Sequence, residues 1–598
     1  MELTLKAGTE VPSAPSRAAA RPPKQYRWEY REAQPDSAQL LRESLGISAV
    51  VARVLANRGL ISNSGELEQF VRPSLTTLHD PFALAGMRAA VDRLLQAKHR
   101  GEKVLVYGDY DTDGTTSTAV LLRTFHKLGI DAAYYIPHRL AEGYGLNATA
   151  IESIARRGVR LIVTVDTGIG ALEQVVLAKS LGMDVIVTDH HQPGPALPEA
   201  VAIVNPNRAD CTYPNKCLAG VGVAFKLSHA LLKGFQISSQ DALPFLRSLL
   251  DLVAIGTVAD FAPLIGENRV LVAHGLEQIR RTSNAGVAEL VRLLDPGVSK
   301  ITTHHVGFQL APRLNAAGRT DHAGVCVELL TTEDRTRAAE IAMQLDGFNQ
   351  DRRNVESGIF EQCIRFVDEN LDVQRDRVFV INGAGWHLGV VGIVASRIMD
   401  MYDRPVIVLS EQHGAAKGSA RSTKGFNIHA ALTACGQYLT AFGGHPNAAG
   451  LQLDCAHIAS FREAINTYAV EAPGGAVMCP VLTIDTDVHG WELDEVLIRD
   501  LGLLEPHGHS NPAPVLSTCG LRMSQTPKLV GNNHLKLQFR QGERLVSAIG
   551  FNMGSRMSEL QANRNATFDA AFVPTLNTYY AQPRIEMELK DLRLSPAI

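Results

Sequence analysis

The sequence predicts an α/β protein of several domains: a doubly wound parallel-sheet domain, a second α/β domain and a C-terminal β-barrel. Three observations carry this. Between about residues 100 and 190, short apolar runs ending in Gly/Asp loops alternate with helical stretches, the pattern of a parallel sheet. The alternation restarts near residue 376, and after Ala472-Pro473-Gly474-Gly475 the texture is mostly strand. At 598 residues the chain exceeds one core. At roughly 150 residues per domain it has room for three or more.

The elements follow in order. Residues 1–35 are rich in Ala, Pro, Arg and Ser, and Lys6, Arg17, Arg21, Lys24, Arg27 and Arg31 outweigh Glu2, Glu10, Glu29 and Glu32. A disordered basic extension is expected there. From about 37 to 72 the pattern is helical. Residues 104–107, 132–136, 161–165 and 185–187 read as buried strands, with helices at 117–128 and through Val176 and Leu181. In the second unit 377–381 and 405–409 read as strands around a helix at 389–399. The last segment offers strands at 481–484, 535–539, 545–549, 570–573 and 585–589, enough for a small barrel. The expected boundaries are 1–35 for the extension, 36–295 for N-terminal helices with the first α/β domain, 296–365 for a helical connection, 366–472 for the second α/β domain and 476–598 for the barrel.

Composition excludes several classes. A hydrophobic fraction of 45% with 20% charged residues excludes wholesale disorder, and a net charge of −4 excludes a uniformly basic nucleic-acid coat while leaving room for a local basic cleft. No secretory apolar segment opens the chain. The apolar stretch 246–265 carries Arg247, Asp251 and Asp260, which makes a bilayer span expensive, so no membrane is expected. The eight cysteines are sparse and form no CxxC. That argues against structural zinc and for a reducing cytoplasm.

The chemistry gathers at strand ends of the first unit. Gly108-Asp109-Tyr110-Asp111-Thr112-Asp113-Gly114, Val165-Asp166-Thr167-Gly168 and Thr188-Asp189-His190-His191 each follow a strand. Ligands of parallel sheets sit beyond the carboxyl ends of strands. Several carboxylates in one cleft cannot all ionise without compensation, and divalent cations supply it. Oxygen-rich ligands with few imidazoles favour Mg²⁺ or Mn²⁺ over zinc. Alone, an Asp-rich turn is as well explained by helix capping, and a His pair by structure. Their conjunction on successive strand ends points to a metal site. Asp260, closing an apolar segment, is the candidate fourth group.

These residues resemble the DHH phosphoesterase superfamily: residues 107–114, 164–169, 188–191 and 256–260 match its four motifs, and Gly443-Gly444-His445 with Asn447-Ala448-Ala449-Gly450 matches the companion DHHA1 domain. Within it the chain is similar to the RecJ family of single-strand-specific exonucleases. The residues that carry this are Pro137-His138-Arg139 with Glu142-Gly143-Tyr144-Gly145-Leu146-Asn147, Leu218-Ala219-Gly220-Val221-Gly222-Val223-Ala224, Pro312-Arg313-Leu314-Asn315-Ala316-Ala317-Gly318-Arg319 and Trp386-His387-Leu388-Gly389-Val390-Val391-Gly392. The similarity runs from about residue 40 to the C-terminus, by pattern more than by motif in the barrel.

The resemblance implies a DHH domain, a DHHA1 domain and an OB-fold-like barrel. It implies 5′-to-3′ hydrolysis of single-stranded DNA to mononucleotides with two Mn²⁺ or Mg²⁺ ions, in recombination and repair. It implies a single-strand-binding protein and a RecQ-type helicase as partners. Asp109, Asp111, Asp113, Asp166, His190 and Asp260 would form the metal shell, with Asp166 shared by both ions. Which first-motif Asp serves which ion stays open. His191 would touch the scissile phosphate and Asp189 would orient the imidazoles. Phosphate contacts are expected from Arg139, from Arg313, Asn315 and Arg319 in an Asn/Ala/Gly loop, from Arg421 and Ser422 in a small-residue loop, and from His445. On the barrel, Phe539, Phe551, Tyr579 and Tyr580 could stack bases or fill the core, and Lys528, Lys536 and Arg540 could line one face. Counting 11 Lys/Arg against 13 Asp/Glu over 476–598, the barrel is not basic overall. Two other classes compete. A DHH-family phosphodiesterase acting on short oligoribonucleotides or cyclic dinucleotides would not need the barrel, and a non-enzymatic replication scaffold would have lost ligands that this chain keeps.

Overall fold

The computed structural model describes residues 26–32, 35–60, 64–139, 141–320, 322–472, 480–531, 533–577 and 583–596. The chain separates into two compact units. The larger comprises Asn63–Met478 and Leu503–Ala513, and the smaller comprises Met1–Ser62, Cys479–Gly502 and Pro514–Ile598.

In the larger unit, β1 (Lys103–Tyr107), β2 (Ala132–Tyr135), β3 (Val159–Val165), β4 (Asp184–Thr188) and β5 (Ala202–Val204) form a parallel sheet in the order β2-β1-β3-β4-β5. The chain reverses direction across the sheet after β2, so β1 and β3 flank the switch point where ligands of such sheets bind. Val104, Val106, Leu161 and Val163 bury on one face, and Leu105, Tyr107 and Ile162 on the other. Both faces being covered, these strands read as continuous apolar runs. α1 (Thr112–Leu128) follows β1. Asp111 caps its start and Gly129, at φ 65°, ends it.

α2 (Gly220–Gly234) and α3 (Leu250–Ala259) pack behind α1. The tract Ser239–Ala259 has the length and hydropathy of a membrane span, yet Leu250, Leu252, Val253, Ala254 and Ile255 are buried in the core of this unit. Asp251 is buried beside them and accepts from the Thr282 hydroxyl at 2.5 Å. A core helix meets the same apolar demand as a bilayer.

The residues expected as a loop around Asn315 are instead α4 (Ala311–Thr320), entered through a π-turn at Val306–Leu310. Leu314, Ala316 and Ala317 are helix formers, and Pro312 follows closely on the π-turn, which is a usual place for a proline inside a helical stretch. α5 (Arg335–Asn370), 36 residues capped by Asp334, leads to the second sheet. That sheet comprises β6 (Phe379–Ala384), β7 (Val406–Gln412), β8 (Ala415–Arg421), β9 (Ala441–His445) and β10 (Ala448–Asp454), ordered β9-β10-β8-β7-β6. Only β6 and β7 are parallel. α6 (Leu388–Tyr402), capped by His387, covers one face. The small-residue loop expected at 417–422 is thus mostly strand β8, whose Gly418 faces the Val408 backbone too closely for any side chain.

The smaller unit is a closed barrel. Strand Leu516–Met523 pairs with both Thr567–Asn577 and His534–Gln541; the ring continues through Arg544–Gly550 and Arg584–Leu594. Five strands closed this way have OB-fold architecture. Phe539, Phe568 and Phe572 fill its interior, so Phe539 is core. Phe551 is exposed beside the His534 ring, while Tyr579 and Tyr580 lie outside the described residues. Lys528 stands opposite Lys536, and Arg522 opposite Arg540, on one outer face, where Lys536 is ion-paired with Glu586.

Two expected boundaries change. Residues 27–30, placed in the extension, form a strand parallel to Val481–Ile484, and Trp28 is anchored by an indole N–H donated to Asp591 at 2.8 Å. Helices Pro35–Leu45 and Ala49–Asn57, expected with the first α/β domain, belong to the barrel unit: Arg58 pairs with Asp485, and Ser48 N–H donates to Asp500.

Candidate active site

Four strand-end or helix-end segments bring the acidic groups together. Asp111 accepts from the Gly114 amide at 2.9 Å, turning the chain from β1 into α1. Asp113, within the first turn of α1, accepts from the Gly220 and Val221 amides at 2.7 and 2.8 Å. The N-terminus of α2 thereby holds a buried carboxylate that would otherwise be costly. Asp166 follows β3 at φ 59°, a left-handed conformation unusual for Asp. A Cβ at Gly220 would lie 2.8 Å from its side chain, so only glycine fits there. Tyr144 and His191 both approach this turn. The His191 Nδ1 proton goes to Asp189 Oδ1 at 2.7 Å, so the Tyr144 hydroxyl donates to the Asp166 carbonyl at 3.1 Å.

Asp189 is buried and also accepts from the amides of Ile169, His190 and His191. The two histidine carbonyls accept from Asn207 at 2.6 Å and Asn205 at 2.9 Å. Every main-chain polar group of the His190-His191 pair is therefore held.

His190 Nε2 lies 3.1 Å from Asp166 Oδ1 and 4.0 Å from Asp113 Oδ2, and its Nδ1 lies 3.9 Å from Asp260 Oδ2. Asp113, His190 and Asp260 form one group able to share an ion, and Asp109, Asp111 and Asp166 a second. Asp109 Oδ1, Asp166 Oδ1 and His190 Nε2 are buried without hydrogen-bond partners. Buried polar atoms normally have them, so these orphans are the donor set that hard divalent cations take, mostly carboxylate oxygens with one imidazole.

The electrostatics agree. Burial, then the neighbouring Asp111, pushes Asp109 up to about 8. Burial and Asp111 likewise push Asp260 up to about 7. Burial drives Asp113 and Asp166 well above the usual carboxylate range, reinforced by Asp260 and Asp111 at Asp113 and by Asp113 and Asp111 at Asp166. Burial and then His191 lower His190 to about 4, leaving its lone pair free for a metal. Burial alone would lower His191, but the Asp189 bond and surrounding carboxylates outweigh it and raise His191 to about 9. The pair thus divides into a neutral imidazole within and a cationic one at the mouth.

A second charged group gathers in the same unit. Arg139 lies 5.0 Å over the Tyr110 ring. Burial and then Arg139, Arg352 and Arg421 lower Arg319 to about 10, and burial and Arg139 lower Arg421. Among the described residues neither Arg319 nor Arg421 has a carboxylate partner; they donate to the Gly389 and Ala420 carbonyls. Unpaired half-buried guanidiniums suit a phosphate. A Cβ at Gly392 would lie 2.8 Å from Arg421 Nη2, and one at Gly318 2.7 Å from the Tyr110 carbonyl, so both glycines permit this crowding.

The other residues expected to contact phosphate make the following contacts in the structure. Arg313 pairs with Asp346 at 2.8 Å. Asn315 accepts from the Thr112 amide at 2.9 Å, holding the start of α1. Ser422 is buried and donates to the Phe426 carbonyl at 2.6 Å. His445 is exposed on edge strand β9. Sequence reasoning missed Ser419, whose hydroxyl lies beside Arg421 against Gly392. The period of two along β8 puts 419 and 421 on one face and would have found it. It also missed Tyr144, Asn205 and Asn207.

A DHH family N-terminal domain model matches residues 103–257, a DHHA1 domain model residues 375–471 and a RecJ OB domain model residues 484–591. The single-stranded-DNA-specific exonuclease RecJ of Bacillus subtilis is 42% identical over 532 residues, 88% of this chain and 66% of that protein. The RecJ of Escherichia coli is 37% identical over 528 residues, 85% of this chain and 90% of that protein. The chain thus spans about two thirds of the first relative's length and most of the second's. The crystal structure of RecJ from Thermus thermophilus in complex with Mn²⁺ superposes with a TM-score of 0.81 at 28% identity, covering 96% of this chain and 80% of that one. The structure of the same protein in complex with Mg²⁺ superposes at 0.76. With all three domains matched in order and this identity over nearly its whole length, the chain belongs to the RecJ family of single-stranded-DNA-specific exonucleases.

Proposed function

We propose that the chain is a metal-dependent exonuclease that hydrolyses single-stranded DNA from its 5′ end to mononucleotides, acting in recombination and repair in the cytoplasm. The observation that carries this is a pair of unbalanced charge clusters in one compact unit. One is a set of buried carboxylates with orphaned oxygens, and the other a set of arginines that have no carboxylate partner among the described residues.

Asp109, Asp111, Asp113, Asp166, His190 and Asp260 would hold two Mn²⁺ or Mg²⁺ ions. Ions bound there would supply a hydroxide nucleophile at neutral pH and neutralise charge growing on the scissile phosphate. The chain's own residues do the rest. Asp189 keeps the His191 imidazolium aimed outward, where it donates to a phosphate oxygen. Arg139, Arg319 and Arg421 grip the phosphate that ends the strand, fixing the scissile bond by distance from that end. Positioning and charge, more than proton transfer, supply the rate. The barrel's outer lysines and arginines would bind single-stranded DNA through its phosphates. A single-strand-binding protein and a RecQ-type helicase are the proposed partners, since each presents the unpaired strand this chemistry needs.

A 5′-labelled single strand and its duplex, each with Mn²⁺, alongside Asp166→Ala, test the reading. Mononucleotide release from the single strand alone, lost in the variant, is expected. Equal digestion of both substrates or full activity in the variant would sink it, and preference for short RNA would favour the oligoribonucleotide reading.

A further inference from the structure

Asp260 ends α3 in an unusual way. The Ala262 amide donates to the Thr257 carbonyl and the Phe261 amide to the Val258 carbonyl, both at 3.2 Å, which makes a Schellman turn with Asp260 as its C-cap. The position after the cap is left-handed and normally glycine. Here it is Phe261, at φ 59° and 69% exposed as a residue. A bulky residue in that conformation is strained and persists only when its surroundings hold it.

The holder comes from far along the chain. The His509 ring stacks on Phe261 at 4.9 Å and 15°, and its Nδ1–H donates to the Phe261 carbonyl at 2.7 Å. The His509 carbonyl accepts from the Leu264 amide at 2.8 Å, so one residue ties down both sides of the turn. His509 is itself firmly presented. Arg269 donates to the carbonyls of Leu503, Leu504, Glu505 and Pro506. The Asn511 amide bonds the carbonyls of Leu504 and Pro506, and a Cβ at Gly508 would strike Leu264 at 2.6 Å.

We propose that His509 is a positioning residue for Asp260: it braces the strained backbone immediately behind that carboxylate and so fixes its reach toward His190 and Asp113. This rests on the metal-site reading above. A segment outside the DHH and DHHA1 domains thus completes the metal centre.

Mn²⁺ titrated calorimetrically into the metal-free full chain tests this. In His509→Ala, Mn²⁺ affinity should fall about tenfold or more, as when groups that orient metal ligands are removed, with the KM for single-stranded DNA little changed. His509 is exposed, so the melting temperature should hold. Phe261→Gly added to His509→Ala should restore the affinity, because glycine adopts the turn unaided. Wild-type affinity in His509→Ala, or no restoration by Phe261→Gly, would overturn the proposal. So would a raised KM with unchanged Mn²⁺ affinity, which would make the ring pair a base-stacking platform. Failure of the wild-type chain to bind Mn²⁺ would instead strike the metal-site reading itself.

Discussion

Removing the ions should make the larger unit increasingly unstable as pH rises, and Asp109→Asn should relieve part of that cost. Asp109 is only 4% exposed, and burial followed by repulsion from Asp111 lifts its carboxyl from 3.8 to about 8. A raised carboxyl means the folded state binds a proton that the unfolded chain has released. Stability therefore declines as pH climbs from the unfolded value toward about 8 and levels off above it. The limiting slope for one proton is about 1.4 kcal/mol per pH unit, and coupling to Asp111 and Asp166 leaves something on the order of 1 kcal/mol assignable to this group. Urea midpoints of chelator-treated wild type and Asp109→Asn, measured from pH about 5 to about 8, read it directly. The wild type should weaken across the window, the variant less steeply, and Mn²⁺ should flatten the wild-type profile. A flat or rising metal-free profile, or equal slopes in both proteins, would refute the reasoning.

Arg319→Ala or Arg421→Ala should each lower kcat/KM on a 5′-phosphorylated strand by about 1.5–3 kcal/mol, or roughly ten- to a hundredfold, whereas Arg313→Ala, losing only its pair with Asp346, should change it a few-fold at most. Ser419→Ala should reduce activity without moving the melting temperature. Ser422→Ala should do the reverse, costing about 1 kcal/mol, because its hydroxyl serves the Phe426 carbonyl. Glu267→Gln leaves buried Lys226 without its counter-charge and should cost about 3–5 kcal/mol of stability by denaturant titration. Strand binding measured by fluorescence anisotropy should weaken steeply with added salt, and a flat response would remove the phosphate-tracking face.

The parallel sheet and its acidic strand ends were legible because both depend on neighbours in sequence. An apolar run of five residues followed by an Asp loop states its burial and its chemistry together. β5 was not read, and neither were β8 and β9, whose Ala- and Gly-rich sequences lack apolar runs, nor β10, where only Leu451 and Leu453 alternate. Arg313 and Arg319 read as equivalent while their segment was taken as a loop. On α4 they are six residues apart and point to different sides, one to Asp346 and one to the arginine group. The brace on Asp260 could not be read at all, because it joins residues 261 and 509 through a helix-ending turn that usually announces itself with glycine.

The strand Arg27–Tyr30 and helices Pro35–Leu45 and Ala49–Asn57 find their partners only beyond Cys479. On a ribosome adding about 5–20 residues per second, roughly four hundred residues of the other unit are made in between, so tens of seconds pass before those partners exist. The apolar faces of Val50, Val51, Val54 and Leu55 stay open through that interval while the DHH and DHHA1 domains are completed. Synthesis order therefore makes the first-made helices the last to be packed. Stalled or clipped chains would carry completed DHH and DHHA1 domains with an uncovered hydrophobic handle, a form that chaperones and proteases are built to find.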